Sequence, residues 1–206
     1  MKIIIIGIAL CFVLLSCAPG PVYVAKSENE SMRTAYEDAK LRKLHADNEM
    51  ILKKIYNRLV QSNINIYKEG IGLTILTDDR NEKLHYISIN IRPSEISFDE
   101  SSTKPEQRFS RVLGTYFPKY MQYIKMEDLD ADDIEGLQMG VYWPVRDHSQ
   151  CDQYGGFIEY IHVYFTKDDV ANILNGRRSF QEVVQDTEVI TSLNLQPSKS
   201  VRPVFN

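Results

Sequence analysis

Two runs of alternating residues constrain the fold of this chain more than any other feature of its sequence. One run covers residues 71–76 and the other covers 86–91, with the polar segment 78–83 between them. Successive side chains of a β-strand point to opposite faces, so this period predicts two strands joined as a β-hairpin. The apolar positions of the two runs are Ile71, Leu73, Ile75, Ile87, Ile89 and Ile91.

Three later segments predict further strands. Leu137, Met139, Val141 and Trp143 alternate in the same way, whereas residues 157–165 are apolar on both faces. A run that is apolar on both faces is typical of a central strand. Residues 187–193 predict a short fifth strand.

Helix signals separate these strands. Thr103 and Glu106 form a capping-box pattern before an aromatic stripe that extends to Ile124, and Pro118 predicts a kink or a break in that helix. Two shorter helices are indicated by the caps Thr166 with Asp169 and Ser179 with Glu182. The order of elements predicts an α+β domain over residues 63–195, followed by an extended tail at 196–206. Its mostly antiparallel sheet of about four to five strands is covered on one face by helices.

An amphipathic helix is predicted ahead of this domain, over residues 31–62. Its apolar residues recur at spacings of three and four, and Asn48 lies on the same stripe. In one interpretation, this apolar stripe packs against the rest of its own domain. In the other it forms a short coiled coil in which Asn48 sets the register, or it docks on an envelope protein. The stripe consists of Leu41, Leu44, Ile51, Leu52, Ile55 and Leu59.

The N-terminus has the pattern of an export signal. Lys2 is followed by an apolar run over residues 3–15, and Ser16 then directly precedes Cys17. A run of this length fits a secretory signal and is too short to span a bilayer comfortably. An ordinary signal peptide and an uncleaved anchor are the alternatives, and either one would export the rest of the chain.

The sequence Leu14-Leu15-Ser16-Cys17 resembles the lipobox of bacterial lipoproteins. The resemblance implies that residues 1–16 are removed as a signal peptide and that Cys17 carries a diacylglycerol and a palmitate-like acyl chain. Several acyl chains make a lasting membrane anchor. Ala18 follows the cysteine, which by analogy with enteric-type sorting implies the outer membrane, facing the periplasm, if the host has one. Residues 17–30 are expected to form a tether.

The charge and cysteine content of the chain limit the kinds of partner that we expect it to bind. The chain has 24 basic and 28 acidic residues, a formal net charge of −4, and no run of more than two adjacent basic residues. We therefore expect no nucleic-acid partner and a membrane contact made through the lipid alone. Cys11 leaves with the signal and Cys17 is lipidated, so Cys151 remains without an intramolecular disulfide partner.

The polar loop 146–156 contains the residues best suited to chemistry. It brings His148, Cys151 and Asp152 close together in sequence, and His148 or the more distant His162 could act as the base for a cysteine nucleophile. The spacing matches no protease or metal motif, which favours a solvated loop. His162 also alternates with Tyr160 and Tyr164 on one strand face, where it lines a pocket or simply makes a hydrogen bond within the sheet.

An acidic segment gives a weak calcium candidate at Asp128, Asp130 and Asp132, because hard cations bind converging carboxylates. Asp133 stands where the turn glycine of such a loop belongs, and Met139 stands where the closing glutamate belongs. These departures favour an acidic linker. No metal and no cofactor other than the lipid on Cys17 are expected.

Together these features favour a lipid-anchored cell-envelope protein that acts as a binding or assembly accessory module, because no catalytic signature is present. The alternatives are an envelope enzyme or a small-ligand receptor, using the 146–156 loop and the tyrosine-rich strand face.

Overall fold

A single mixed sheet organises the domain in the computed structural model, which describes residues 24–96, 98, 103–145 and 157–192. The strands are β1 (Ile66–Thr77), β2 (Lys83–Ile91), β3 (Gly136–Val145), β4 (Phe157–Thr166) and β5 (Glu188–Thr191). The helices are α1 (Glu28–Ser31), α2 (Ala39–Gln61), α3 (Pro105–Met121), α4 (Lys167–Leu174) and α5 (Phe180–Val184), with a 3-10 turn at Met126–Leu129. None of the described helices combines the length and hydropathy needed to cross a bilayer.

The strands lie side by side in chain order, β1-β2-β3-β4-β5. All neighbours are antiparallel except β2 and β3, which are parallel. Parallel neighbours cannot be joined by a tight turn, and the connection between these two contains α3. The expected α+β class with a mostly antiparallel sheet is therefore confirmed.

One face of the sheet, called the inner face, is buried and, apart from a few polar residues such as Glu159, apolar. In a single row across five strands, Ile71, Ile89, Met139, Val163 and Val189 lie opposite one another. The helices cover this face, as contacts of Phe109 with Trp143 and of Phe180 with Phe165 show. The inner face consists of Ile71, Leu73, Ile87, Ile89, Ile91, Leu137, Met139, Val141, Trp143, Ile161, Val163, Phe165 and Val189.

Helix α2 packs its apolar stripe on its own domain. Leu52, Ile55 and Leu59 are buried in the core, and the buried Asn48 donates its Nδ2 hydrogen to the carbonyl of Leu44 at 2.8 Å. Because the stripe is already covered, the coiled-coil interpretation is wrong.

The helix also begins later than the sequence predicted. Asp38 accepts hydrogen bonds from the backbone N–H groups of Lys40 and Leu41 and starts α2 there rather than at Ser31.

Residues 24–30 differ from the expected tether. Val24 forms a bridge with Tyr67, and the N–H of Ala25 donates to the carbonyl of Ile66 at 2.9 Å. Ser27 then caps the short helix α1. Hydrogen bonds to the free edge of β1 thus attach this segment to the domain, a partner that the polar composition of the segment does not reveal.

The signals for the other helices are largely confirmed. Both predicted caps, at Thr166 and Ser179, start short helices with complete capping boxes. Helix α3 instead starts from Lys104, whose N–H donates to Gln107 Oε1 at 3.2 Å, one residue beyond the predicted cap. Pro118 does not split α3, which continues to Met121, so the packing of the helix outweighs the one backbone hydrogen bond that a proline cannot donate.

A buried ion pair joins α3 to the sheet. Arg108 donates through Nε to Glu159 Oε2 at 2.9 Å and through Nη2 to Glu159 Oε1. The indole N–H of Trp143 donates to the same carboxylate at 2.8 Å. Both charged side chains are at least 95 % buried, so their hydrogen bonds replace those lost to water.

We expect Leu52→Ala to lower the free energy of unfolding by about 3 kcal/mol, because it removes a fully buried side chain between α2 and the sheet. Met50→Ala, on the same helix but 73 % exposed, is the matched control and should change stability by less than about 0.5 kcal/mol. Urea denaturation followed by the fluorescence of the single tryptophan, Trp143, measures both. Equal losses in the two variants would contradict this packing.

Candidate functional site

The alternation that builds the inner face also fixes a second, polar face, called the outer face. Its residues occupy the intervening positions of the same strands, so Ser88, Gln138 and Tyr164 form one row and Gly140 lies opposite His162. None of the described helices supplies a ring contact or a side-chain hydrogen bond to it. The outer face consists of Gly72, Tyr86, Ser88, Asn90, Gln138, Gly140, Tyr142, Tyr160, His162 and Tyr164, together with Tyr67.

Three buried polar side chains close a ring of hydrogen bonds at the centre of this face. Ser88 Oγ donates to Gln138 Oε1, and Gln138 Nε2 donates to Asn90 Oδ1 at 3.2 Å. Asn90 Nδ2 completes the ring by donating to Ser88 Oγ at 3.2 Å. Since buried polar groups are costly without partners, the ring holds each of the three side chains in one orientation.

A cluster of aromatic side chains lies on the same face as this ring of hydrogen bonds. Tyr67 and Tyr142 are stacked, with centroids 4.1 Å apart and planes 16° from parallel. The Tyr142 hydroxyl and His162 Nε2 form a hydrogen bond of 2.8 Å. Tyr160 packs against His162 at a centroid distance of 4.9 Å. Each of these four side chains is mostly buried but keeps some exposure, so the ordered rings reach the surface with their polar edges.

Two glycines make room for these contacts. A Cβ atom on Gly140 would lie 2.1 Å from Asn90 Oδ1 and 2.7 Å from His162 Cδ2. A Cβ atom on Gly72 would lie 2.8 Å from the Cβ of Arg33. All three distances are shorter than a van der Waals contact, so only glycine at these positions leaves room for the Asn90 amide, the His162 imidazole and Arg33.

The imidazole on this face is neutral at physiological pH. Burial, reinforced by the positive charge of Arg33, lowers the pKa of His162 to about 4. Burial likewise raises the pKa of Tyr142 far above its usual value, although Arg33 opposes this. Burial and the nearby Glu135 and Glu188 raise the pKa of Tyr86 to about 12. The phenols therefore stay protonated, and they serve as hydrogen-bond donors and acceptors rather than as bases.

Arg33 is a charged residue close to this cluster, and it lines a groove together with the acidic residues Glu37, Asp38 and Glu69. Its backbone N–H donates to the carbonyl of Ile71 at 2.7 Å, which attaches this segment to the edge of β1. Its side chain is partly exposed and makes no ion pair with any residue that the structure describes.

Of the residues named from sequence, His162 lies on this face together with Tyr160 and Tyr164, as the alternation predicted. Cys17, His148, Cys151 and Asp152 lie outside the described residues. Sequence reasoning did not identify Arg33 or Tyr67. Both belong to segments whose position relative to β3 and β4 depends on pairing at the β1 edge, for which the sequence has no local signal.

The calcium candidate is not assembled. Both carboxylate oxygens of the buried Asp128 accept hydrogen bonds from Arg58, at 2.6 and 3.1 Å. Asp130 and Asp132 are exposed. The described part of the chain has no group of three or more His, Cys, Asp or Glu side chains that could hold a metal ion.

We expect Gly140→Ala to cost about 2 kcal/mol or more of unfolding free energy, since its methyl group would displace Asn90 from the hydrogen-bond ring. Gly114→Ala, at an exposed position in α3, is the control and should be neutral or slightly stabilising. Urea denaturation measures both. A stability of Gly140→Ala equal to that of the unmodified protein would show that the ring tolerates rearrangement.

We expect His162 to make stability depend on pH. Its folded-state pKa of about 4 lies below its usual 6.5, so the unfolded chain binds the proton first as the pH falls. The unfolding free energy is therefore unaffected by this group above pH 6.5. It falls between pH 6.5 and pH 4, by at most about 3 kcal/mol.

The measurement compares His162→Gln with the unmodified protein by urea denaturation at pH 7, 6 and 5. Burial also lowers the pKa of His45 and His85, and these effects cancel because both proteins contain them. The stability difference between the two proteins should shift steadily in favour of the variant as the pH falls. A constant difference would place His162 in a solvated environment.

Comparisons with known proteins identify no relative: no family model, no curated protein and no solved structure matches the chain significantly. Its function is therefore argued from the site.

Proposed function

We propose that this chain is a lipid-anchored cell-envelope protein whose α+β domain acts by binding, as an accessory or assembly module, and that the outer face is its binding surface. The observation that carries this proposal is the cluster of Tyr67, Tyr142, Tyr160 and His162, whose rings contact one another on the outer face of the sheet. Rigid aromatic rings with polar edges are the side chains that contribute most to binding in protein recognition sites.

The chemistry of the cluster favours binding over catalysis. Its imidazole is a weak base because its pKa is about 4, and its phenols keep their protons. A general base works best when its pKa is near the operating pH, and His162 does not meet that condition. Hydrogen bonding and stacking remain the natural roles of these groups.

The anchor part of the proposal depends on the resemblance of Leu14-Leu15-Ser16-Cys17 to a lipobox. A lipid on Cys17 would hold the domain at the membrane and raise the local concentration of any partner there. The acidic composition argues against nucleic acid as that partner.

A protein partner could also contact α2, as the sequence suggested. The apolar stripe of α2 is used within the domain, so such a contact would involve its outward side, where Met50 is 73 % exposed. The outer face offers a larger set of ordered rings. For the enzyme alternative based on the 146–156 loop, no described residue supplies supporting evidence.

The test places a photo-crosslinking amino acid at position 160, and separately at position 50, in the full-length protein expressed in cells. Affinity capture and mass spectrometry then identify the crosslinked partners. We expect one envelope protein to be crosslinked in near-stoichiometric yield from position 160 and not from position 50. Cys17→Ala, which removes the anchor, should reduce that yield strongly.

Crosslinking from position 50 alone would move the binding surface to α2. Absence of crosslinks from both positions would overturn the proposal of a protein-binding module. A yield unaffected by Cys17→Ala would overturn the role of the anchor.

A further inference from the structure

Strand β1 forms one edge of the sheet, and the segment that precedes α2 covers the first part of that edge. Residues 24–33 pair with β1 as far as Ile71, whose carbonyl accepts from the N–H of Arg33 at 2.7 Å. The Tyr36 hydroxyl then accepts from the N–H of Leu73 at 3.0 Å. This covering of the edge ends at Leu73.

The rest of the edge, residues 73–77, has backbone groups that point away from β2, and we call it the open edge. In an antiparallel ladder, alternate residues direct both N–H and C=O towards the neighbouring strand, and the residues between them direct both away from it. The contacts at Ile71 and Leu73 show that the odd-numbered residues are the ones directed outward. The outward groups beyond the covered part have no hydrogen-bond partner among the residues that the structure describes. They are the carbonyls of Leu73 and Ile75 and the N–H groups of Ile75 and Thr77.

The open edge lacks the features by which natural proteins protect an exposed strand. Its sequence, Leu-Thr-Ile-Leu-Thr, contains no charge and no proline, and the irregularity in β1 lies earlier, between Ile66 and Ile71. The opposite edge strand, β5, has only four residues and begins with Glu188. Short strands and charges prevent pairing with other chains, whereas an unprotected edge rich in β-branched residues is a template for it.

A groove of about 390 Å³ lies between residues 73–75 of the open edge and the segment 33–38. Leu41 and the partly exposed Ile75 contribute apolar side chains to it. Because side chains of a strand alternate between two faces, every second residue of an added strand would lie next to Ile75. The groove therefore favours an extended chain with apolar residues at alternate positions.

The charges of the groove favour a basic chain. Among its acidic residues, Asp38 is bound to Lys83 at 3.1 Å. Glu37 and Glu69 are exposed, and neither makes an ion pair with any other residue that the structure describes. Arg33 is the basic residue of the lining, so the groove has a net negative charge.

We propose that the open edge binds an extended segment of a partner protein, which adds a sixth strand to the sheet and carries alternating apolar and basic side chains. Its N–H groups donate to the carbonyls of Leu73 and Ile75, and its carbonyls accept from the N–H groups of Ile75 and Thr77. Main-chain hydrogen bonds supply affinity in this mode of binding, and alternate side chains supply specificity. The open edge is separate from the outer face, so this inference does not depend on the proposed function.

The first test measures amide hydrogen exchange by NMR in the full-length protein in detergent micelles. Without a ligand, the amides of Ile75 and Thr77 should exchange quickly, and those of Thr74 and Leu76, which face β2, should exchange slowly. The probe is a short end-blocked peptide of alternating valine and lysine. At saturation it should slow exchange at Ile75 and Thr77 by about tenfold or more and leave Thr74 and Leu76 unchanged.

Two matched peptides separate the backbone from the charge. N-methylation of the peptide backbone removes the donors that Leu73 and Ile75 would accept from, so it should abolish saturable binding. Replacing lysine by glutamate keeps the strand but reverses its charge, and should weaken binding about tenfold or more at low ionic strength. Calorimetry measures the affinities of all three peptides.

Thr77→Pro removes one outward N–H at an exposed position. That N–H takes no part in the ladder with β2, so the fold should be retained, which slow exchange at Thr74 would verify. The variant should bind the valine–lysine peptide about tenfold more weakly. Thr77→Val, which keeps the N–H, is the matched control and should bind the peptide like the unmodified protein.

Absence of saturable binding would overturn the inference, and so would exchange at Ile75 that the bound peptide does not slow. Equal binding of the N-methylated peptide would exclude strand addition, and equal binding of the glutamate peptide would exclude a basic partner segment. If exchange at Ile75 is already slow without peptide and slows further as the protein concentration rises, a second copy of this chain occupies the edge in place of the proposed partner.

Discussion

Burial of the inner face of the sheet is the constraint on which the rest of this structure depends. Each fully buried aliphatic or aromatic side chain there contributes about 1.5–3 kcal/mol, and the row from Ile71 to Val189 crosses every strand. A shift of one residue in any strand would turn its apolar side chains outward. The register of the inner face therefore also determines which side chains meet on the outer face, even where their own contacts are weak.

The buried pair of Arg108 and Glu159 adds specificity to this apolar layer. Replacing such a pair by apolar residues often costs little, whereas an incorrect packing that leaves either charge alone costs several kcal/mol. Because Glu159 also accepts from Trp143, the pair fixes α3 against both β3 and β4. The neighbouring Tyr160 is thereby held on the opposite face, where it contacts His162.

The outer face shows how a sheet can hold polar groups in a defined arrangement through hydrogen bonds among its own side chains. A closed ring of amide and hydroxyl groups occupies its centre, and glycines at positions 72 and 140 allow close approach. The neutral imidazole and the protonated phenols follow from burial. This combination of ordered rings and fixed hydrogen-bonding groups favours binding over acid–base chemistry.

Local sequence patterns determined the strands, the caps at Thr166 and Ser179 and the apolar stripe of α2, because alternation and capping involve residues only a few positions apart. The export signal and the lipid on Cys17 are likewise sequence-level predictions. Only the tertiary structure decided the parallel pairing of β2 with β3, the attachment of residues 24–33 to β1, and the meeting of Tyr67 with Tyr142. These contacts join distant segments, and many alternative pairings would satisfy the same local preferences. The choice among them is made by the total apolar area that one arrangement buries.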